Sequence, residues 1–333
     1  MKPKIGITIG DINGIGPEII IKMLSNDAMF AMCTPIIYGS TKVLSYYKKA
    51  INNHKFKYAQ LKDWDNLKGK QAFVVNCIDE NPKINMGEQT EEAGKYAFDS
   101  INTALEDWKE GKIDIILTAP INKNLVAKFA GDNFKGHTEY ISEFCKVEEN
   151  LMLLTSDRLT VGLVTNHVPV AQISNKLTLS LLTKKLLLLN NSLKNDFGIH
   201  KPRIAVLGLN PHAGDNGLLG EEEAKIIKPA INDMMSRGIY AFGPYPSDGF
   251  FGTNDYTKFD GILAMYHDQG LIPFKSISFD EGVNFTSGLP LVRTSPDHGT
   301  AYDIAGKGIA SEKSMRNALF TAIDIFRNRK EKL

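Results

Sequence analysis

The chain has 333 residues, 43% hydrophobic and 23% charged, with a formal net charge of +1. This length exceeds one ordinary core and implies one or two α/β domains of a soluble globular protein. The near-neutral balance supplies neither the basic surplus of a nucleic-acid binder nor an acidic tail. Three scattered cysteines, Cys33, Cys77 and Cys145, form no CxxC pair and imply reduced thiols in a cytoplasmic protein. The start, MKPKIGITIG, passes straight into a strand pattern without a secretory leader. No run reaches the roughly 18 apolar residues that a membrane span needs.

In chain order, Ile5–Ile9 reads as a strand, and GDINGIGPEII opens a helix with Pro17 in its first turn and Glu18 near its positive end. Pro35–Tyr38 predicts a strand, Thr41–Ala50 a helix, and Ala72–Asn76 a strand after the polar, irregular stretch Lys55–Lys70. Glu91–Trp108 repeats Ala93, Tyr96, Ala97, Ile101, Ala104, Leu105 and Trp108 at helical spacing. Asp114–Leu117 is a buried-type strand running into TAPINK, and Gly136–Phe144 opens a helix. Leu151–Thr155, Leu159–Thr165, Arg203–Leu209 and Gly261–Tyr266 read as further strands. Lys176–Leu193, Glu221–Ser236 and Ser311–Arg327 read as helices, and Gly243–Gly252 as a loop rich in Gly and Pro. Strands alternating with helices imply mostly parallel sheets covered on both faces.

Three histidines follow three of these strands: His167 in TNHVPV, His212 in LNPHAGD and His267 in YHDQG. In open α/β sheets, ligands collect outside the carboxyl ends of strands. If the three strands share a sheet, three neutral imidazoles face one rim, the donor set of a catalytic divalent cation. The alternative is that each His merely satisfies its own loop. Lys275, Asn284 and Arg293, spaced through turns and short strands, suit a phosphate or carboxylate. GHTEY places His137 and Thr138 at a helix start, where backbone N–H groups favour anions, or where Thr138 simply caps the helix. GDINGIGPE lacks the spacing of a dinucleotide fingerprint. NPHAGDNGLLGEEE is a Gly-rich turn whose carboxylates favour the dipole of the following helix.

Six strings in order, GDINGIGPEI, TAPINK, GHTEYI, NPHAGDNGLLGEEE, YHDQGLIPFK and GVNFTSGLPLVRTSPDHGTAYDIAGKG, resemble the PdxA family of 4-hydroxythreonine-4-phosphate dehydrogenases of vitamin B6 synthesis. GIGPE and HGTAYDIAGKG also resemble the wider group of β-decarboxylating dehydrogenases that includes isocitrate and isopropylmalate dehydrogenases. The resemblance implies two interwoven α/β domains, residues 1–129 plus 288–333 and residues 130–287, and a homodimer whose shared active site both subunits complete. It implies a divalent metal (Zn2+, Mg2+ or Co2+) on His167, His212 and His267, drawn from both subunits. His137, Thr138, Lys275, Asn284 and Arg293 fall on substrate-binding positions, and His298, Gly299, Thr300 and Asp303 on the site for NAD or NADP. The implied reaction is oxidation and decarboxylation of 4-phosphohydroxy-L-threonine, or the same chemistry on threonate or erythronate 4-phosphate. His137 and Asp248 are the candidates for proton transfer. The chain departs from the family's GDPxGIGPE at Ile12 and Asn13, and from its PADTxF at Gly249. Neither a nucleic-acid nor a membrane partner is expected. The rivals are an acyl- or phosphotransferase on a related fold, which would need no three-histidine metal site, and a metabolite-binding protein without catalysis.

Overall fold

The computed structural model describes residues 2–131 and 134–332 and divides into two compact units. The first comprises Met1–Lys146 and Pro290–Ile323, the second Val147–Leu289 and Asp324–Leu333. The described strands are β1 (Lys4–Thr8), β2 (Thr34–Gly39), β3 (Tyr58–Gln60), β4 (Ala72–Asn76), β5 (Ile115–Thr118), β6 (Leu151–Thr155), β7 (Thr160–Leu163), β8 (Arg203–Leu207), β9 (Tyr240–Tyr245), β10 (Gly261–Ala264), β11 (Val283–Ser287) and β12 (Val292–Pro296).

In the first unit the strand order is β3-β4-β2-β1-β5-β12, and every pairing is parallel. The central strands are apolar on both faces: Ile5, Ile7, Ile36, Ile37, Ile115 and Leu117 are wholly buried. This is the pattern a parallel sheet between two helical layers requires. The helix Glu91–Lys109 is capped by Thr90, whose hydroxyl accepts from the Ala93 N–H, and it buries Ala93, Tyr96, Ala97, Ile101, Ala104 and Leu105 of the stripe read from the sequence, leaving Trp108 half-buried. Ser40 caps Thr41–Ala50 in the same way.

In the second unit the order is β11-β6-β7-β10-β8-β9. The β11-β6 and β6-β7 pairs are antiparallel, and the rest are parallel. The three strands that precede the histidines are therefore consecutive neighbours, β7-β10-β8, pointing the same way. Their core joins Val161, Leu163, Ala205, Leu207, Ile262 and Ala264 to Phe250 and Phe274. Helix Leu179–Asn195, capped by Thr178, buries Leu182, Leu186, Leu189 and Leu193.

Three expectations fail. The stretch Lys55–Lys70 is not irregular throughout, since it contains β3, paired in parallel with β4. The stretch Gly243–Gly252 is not a loop but the end of β9 followed by the helix Ser247–Gly252. β9 pairs only with β8 in this order, and an edge strand tolerates Gly and Pro because half its backbone groups need no ladder partner. Lys275 lies on no turn or short strand. It sits in the last turn of the helix His267–Ser278, which Pro273 interrupts in sequence without ending in space. No described helix is long and apolar enough to cross a membrane.

Candidate active site

In the first unit, β5 ends at Thr118 and its neighbour β12 carries Arg293, in register with Ile116. Arg293 is 2% exposed and donates from Nε at 3.1 Å and Nη2 at 2.7 Å to the Thr118 hydroxyl. Burial pushes its pKa down to about 10, against the pull of Glu139. The guanidinium thus remains cationic at neutral pH in a place where water screens it poorly.

His137 is the first residue of the helix His137–Phe144. Gly136 holds the cap position, and no side chain caps the end, so Thr138 is not the cap. Burial holds the His137 pKa well below the usual imidazole value, reinforced by Arg293 and Lys123. Its Nε2 is sealed from solvent without a hydrogen-bond partner. Lys123 begins the helix that Asn122 of TAPINK caps, and a Cβ added at Gly136 would lie 3.4 Å from its Nζ. The sequence singles out His137, Thr138 and Arg293 as candidates but passes over Lys123 and Thr118. The lysine inside TAPINK is the available signal. An uncapped helix start, a buried guanidinium, an amine and an imidazole whose pKa is depressed are chemically suited to an anionic group.

The loop carrying His298, Gly299, Thr300 and Asp303 packs on the N-terminal GDINGIG turn. The Thr300 carbonyl accepts from the Ile15 N–H at 2.9 Å, and a Cβ on Gly14 would come within 2.7 Å of that carbonyl oxygen, so this approach needs glycine. The Tyr302 hydroxyl donates to Asp11 at 2.6 Å. Asp11 is fully buried, and desolvation raises its pKa against the hydrogen bond from Tyr302. Further along, buried Glu18 accepts from the Gly308 and Ala310 N–H groups and pairs with Lys22 at 3.1 Å. Of the two departures at the N-terminal turn, Ile12 fills the core, and Asn13 bonds Asn85 and Thr90.

In the second unit the rings of His167 and His267 lie 5.9 Å apart. Asp268 Oδ1 is 2.7 Å from His267 Nδ1, which sets the ring's orientation. His212 lines a cavity of about 630 Å³ with Asp248, Asp268, Gln269, Ser247 and Tyr266. Among the described residues, no three His, Cys, Asp or Glu side chains of this single chain already gather as a metal site. The donor chemistry fits a divalent cation in part. Two imidazoles close enough to share an ion at nitrogen–metal bonds of about 2 Å stand beside a carboxylate that orients one of them.

Gln269 connects the elements that carry these groups. Its oxygen accepts from the Met265 N–H at 2.7 Å, and its nitrogen donates to the Gly208 carbonyl at 2.5 Å and the Ser247 hydroxyl at 2.8 Å. Residues His212 to Asn216 all adopt left-handed backbone angles, and only Gly214 among them is a glycine. At roughly 1–2 kcal/mol for each non-glycine residue, this turn costs several kcal/mol unless its surroundings hold it. Lys275 and Asn284 also belong to this unit, on the helix His267–Ser278 and on β11, and the Asn284 Oδ1 is buried without a hydrogen-bond partner.

A family model described as "Pyridoxal phosphate biosynthetic protein PdxA" matches residues 31–322. A 4-hydroxythreonine-4-phosphate dehydrogenase of Bacteroides thetaiotaomicron is 51% identical over 98% of this chain and 90% of its own length. A putative D-threonate 4-phosphate dehydrogenase of Oceanobacillus iheyensis is 43% identical over 97% of this chain and 98% of its own. The crystal structure of a 4-hydroxythreonine-4-phosphate dehydrogenase from Klebsiella pneumoniae superposes with a TM-score of 0.86 at 35% identity, covering 98% of each chain.

Proposed function

Since the chain belongs to the PdxA family of pyridoxal phosphate biosynthesis, we propose that it is a dehydrogenase that oxidises and decarboxylates 4-phosphohydroxy-L-threonine to 3-amino-2-oxopropyl phosphate. The observation that carries the substrate class is the buried Arg293 beside His137 and Lys123 at an uncapped helix start, a setting made for a phosphate or carboxylate. Arg293 and Lys123 anchor that anion, and His137, kept neutral by its surroundings, donates or accepts one hydrogen bond through Nε2. Thr118 fixes the guanidinium plane, so the fork is held in one orientation before substrate arrives.

A bound nicotinamide cofactor would supply the hydride acceptor for oxidation of the alcohol carbon. The loop of His298, Gly299, Thr300 and Asp303 is its proposed seat, tied to the N-terminal turn through Thr300 and Tyr302. A divalent cation, when held, supplies positive charge where the alcohol oxygen and the decarboxylated product develop negative charge. His167 and His267 are its proposed ligands, with Asp268 orienting His267 and His212 as the third donor. Because the single chain does not gather all three, we assign the completed set to a homodimer. Val170, Leu218 and Ile272, each within six residues of one of the histidines, are apolar and 80%, 79% and 64% exposed, which suits a protein interface. Asp248, exposed on the cavity wall, and His137 are the groups for proton transfer.

The second reading is the same chemistry on threonate or erythronate 4-phosphate, favoured by the relative named for D-threonate 4-phosphate. A panel of 4-phosphohydroxy-L-threonine, D-threonate 4-phosphate and D-erythronate 4-phosphate, followed by NADH absorbance with and without added Co2+, decides between them. Turnover of none of the three would remove the proposal.

A further inference from the structure

Three glutamates stand in a row after the left-handed turn, and they have three different fates. Glu221 pairs with Lys225 at the surface, and Glu222 accepts from Ser174 and Asn210. Glu223 is 3% exposed and opens the π-helical turn Glu223–Ile227. Its Oε1 accepts from the backbone N–H of Leu209 at 2.8 Å and of Asn210 at 2.7 Å, and its Oε2 from the Asn210 side-chain amide at 3.0 Å. Leu209 and Asn210 stand between the end of β8 and His212. The Asn210 carbonyl in turn accepts from the Ala213 N–H at 3.1 Å, closing the chain around His212. The carboxylate also sits in a socket with glycine walls. A Cβ at Gly214 would lie 2.6 Å from Oε2, and one at Gly208 would lie 3.2 Å from Oε1.

We propose that Glu223 is a positioning residue: its buried carboxylate imposes the left-handed turn and thereby aims the His212 imidazole. The carboxylate is the acceptor for the two successive N–H groups that lead into the left-handed turn, and an ionised acceptor makes the stronger bonds. Glu221 is held at the surface by Lys225, and of Leu209 and Asn210 Glu222 reaches only the Asn210 side-chain amide, so Glu223 is the glutamate that accepts from the Leu209 and Asn210 backbone N–H groups. The functional half of the proposal rests on the assignment of His212 as a cation ligand. The structural half does not, because the turn and its carboxylate are a feature of the chain without any ion.

The test compares the wild type with Glu223→Gln, Glu223→Ala and His212→Ala. Amide hydrogen exchange over residues 209–217 is measured in metal-free protein, Co2+ binding by calorimetry, and kcat and the KM for NAD by absorbance. Loss of the carboxylate should raise exchange over 209–217 about tenfold or more while β1 stays protected. It should weaken Co2+ binding by about 10- to 100-fold and lower kcat without moving the KM for NAD. The glutamine variant keeps one acceptor for the two backbone N–H groups and should fall between wild type and the alanine variant; if the alanine variant does not fold, the glutamine variant decides by the same readouts. Unchanged exchange in the Glu223 variants would overturn the proposal. So would wild-type Co2+ affinity and kcat in these variants when His212→Ala has lost Co2+. Wild-type Co2+ binding by His212→Ala would instead overturn the ligand assignment, and the exchange data would still decide what Glu223 does to the turn.

Discussion

Arg293 directs two of its five N–H groups at a single oxygen, the Thr118 hydroxyl, at 3.1 and 2.7 Å. The pairing locks the guanidinium at the end of β5 rather than neutralising it. If the charge serves an anionic substrate, Arg293→Met should raise the KM for the phosphorylated substrate by about 10- to 100-fold, the worth of one charge-assisted hydrogen bond or two. The affinity for NAD should hardly change. Steady-state kinetics with each substrate varied in turn checks this, and an equal loss for both would make Arg293 a structural residue.

His137 gives a pH test. Its folded pKa is depressed by burial, Arg293 and Lys123, so the folded state resists a proton that the unfolded chain takes near about pH 6.5. Below that value the unfolded chain binds more protons, so stability falls as pH drops from about 6.5 towards the lower folded pKa. The variant His137→Asn should flatten that slope. Thermal melts between about pH 5 and 7 on both proteins measure it, and parallel slopes would mean that other groups govern the acid side. A bound phosphate dianion should raise the His137 pKa, so binding should take up protons, which calorimetry in buffers of different ionisation heat would register.

Much of this architecture is written in local sequence. The apolar runs of β1, β2, β4, β5, β6, β8 and β10 are short and followed by turn residues, the pattern of buried strands. β9 and β12 carry Gly, Pro, Arg or Ser among their apolar residues and show no such signal. The position of each histidine after a strand is legible, but the adjacency β7-β10-β8 is not, because pairing between distant segments leaves no mark in a short window. Asp268 and Gln269 are in plain view beside His267, yet only the fold shows that one orients the ring and the other bridges to Gly208 and Ser247. Glu223 is the extreme case: three identical neighbours, of which the backbone turns one inward.

Asp268 should matter through His267. With the proton on Nδ1 donated to the carboxylate, Nε2 keeps the lone pair a cation needs. Asp268→Ala should weaken Co2+ binding by about 10- to 100-fold, while Asp268→Asn, which retains a neutral acceptor, should lose less. Calorimetric titration with Co2+ orders the three proteins. If alanine and asparagine lose equally, the charge of Asp268 matters and its hydrogen bond does not.

The Tyr302 hydroxyl is the principal group that keeps buried Asp11 ionisable, because it opposes the desolvation that raises the carboxyl pKa. A raised folded pKa means that ionised Asp11 costs stability. That cost is absent below the unfolded pKa and appears as pH rises through the folded one. Tyr302→Phe removes the compensating donor, so it should destabilise the protein by about 1.5–3 kcal/mol near neutral pH, where the carboxylate is charged. Near about pH 4, where Asp11 is more nearly protonated, the loss should shrink. Denaturant melts of both proteins at the two pH values give the comparison directly. The loop containing Tyr302 is also the proposed seat of the nicotinamide cofactor, so the KM for NAD should rise in the variant while the KM for the phosphorylated substrate, whose proposed anchor is Arg293, stays near its wild-type value. A stability loss of equal size at both pH values would separate Tyr302 from the charge on Asp11, and an unchanged KM for NAD would separate this loop from the cofactor.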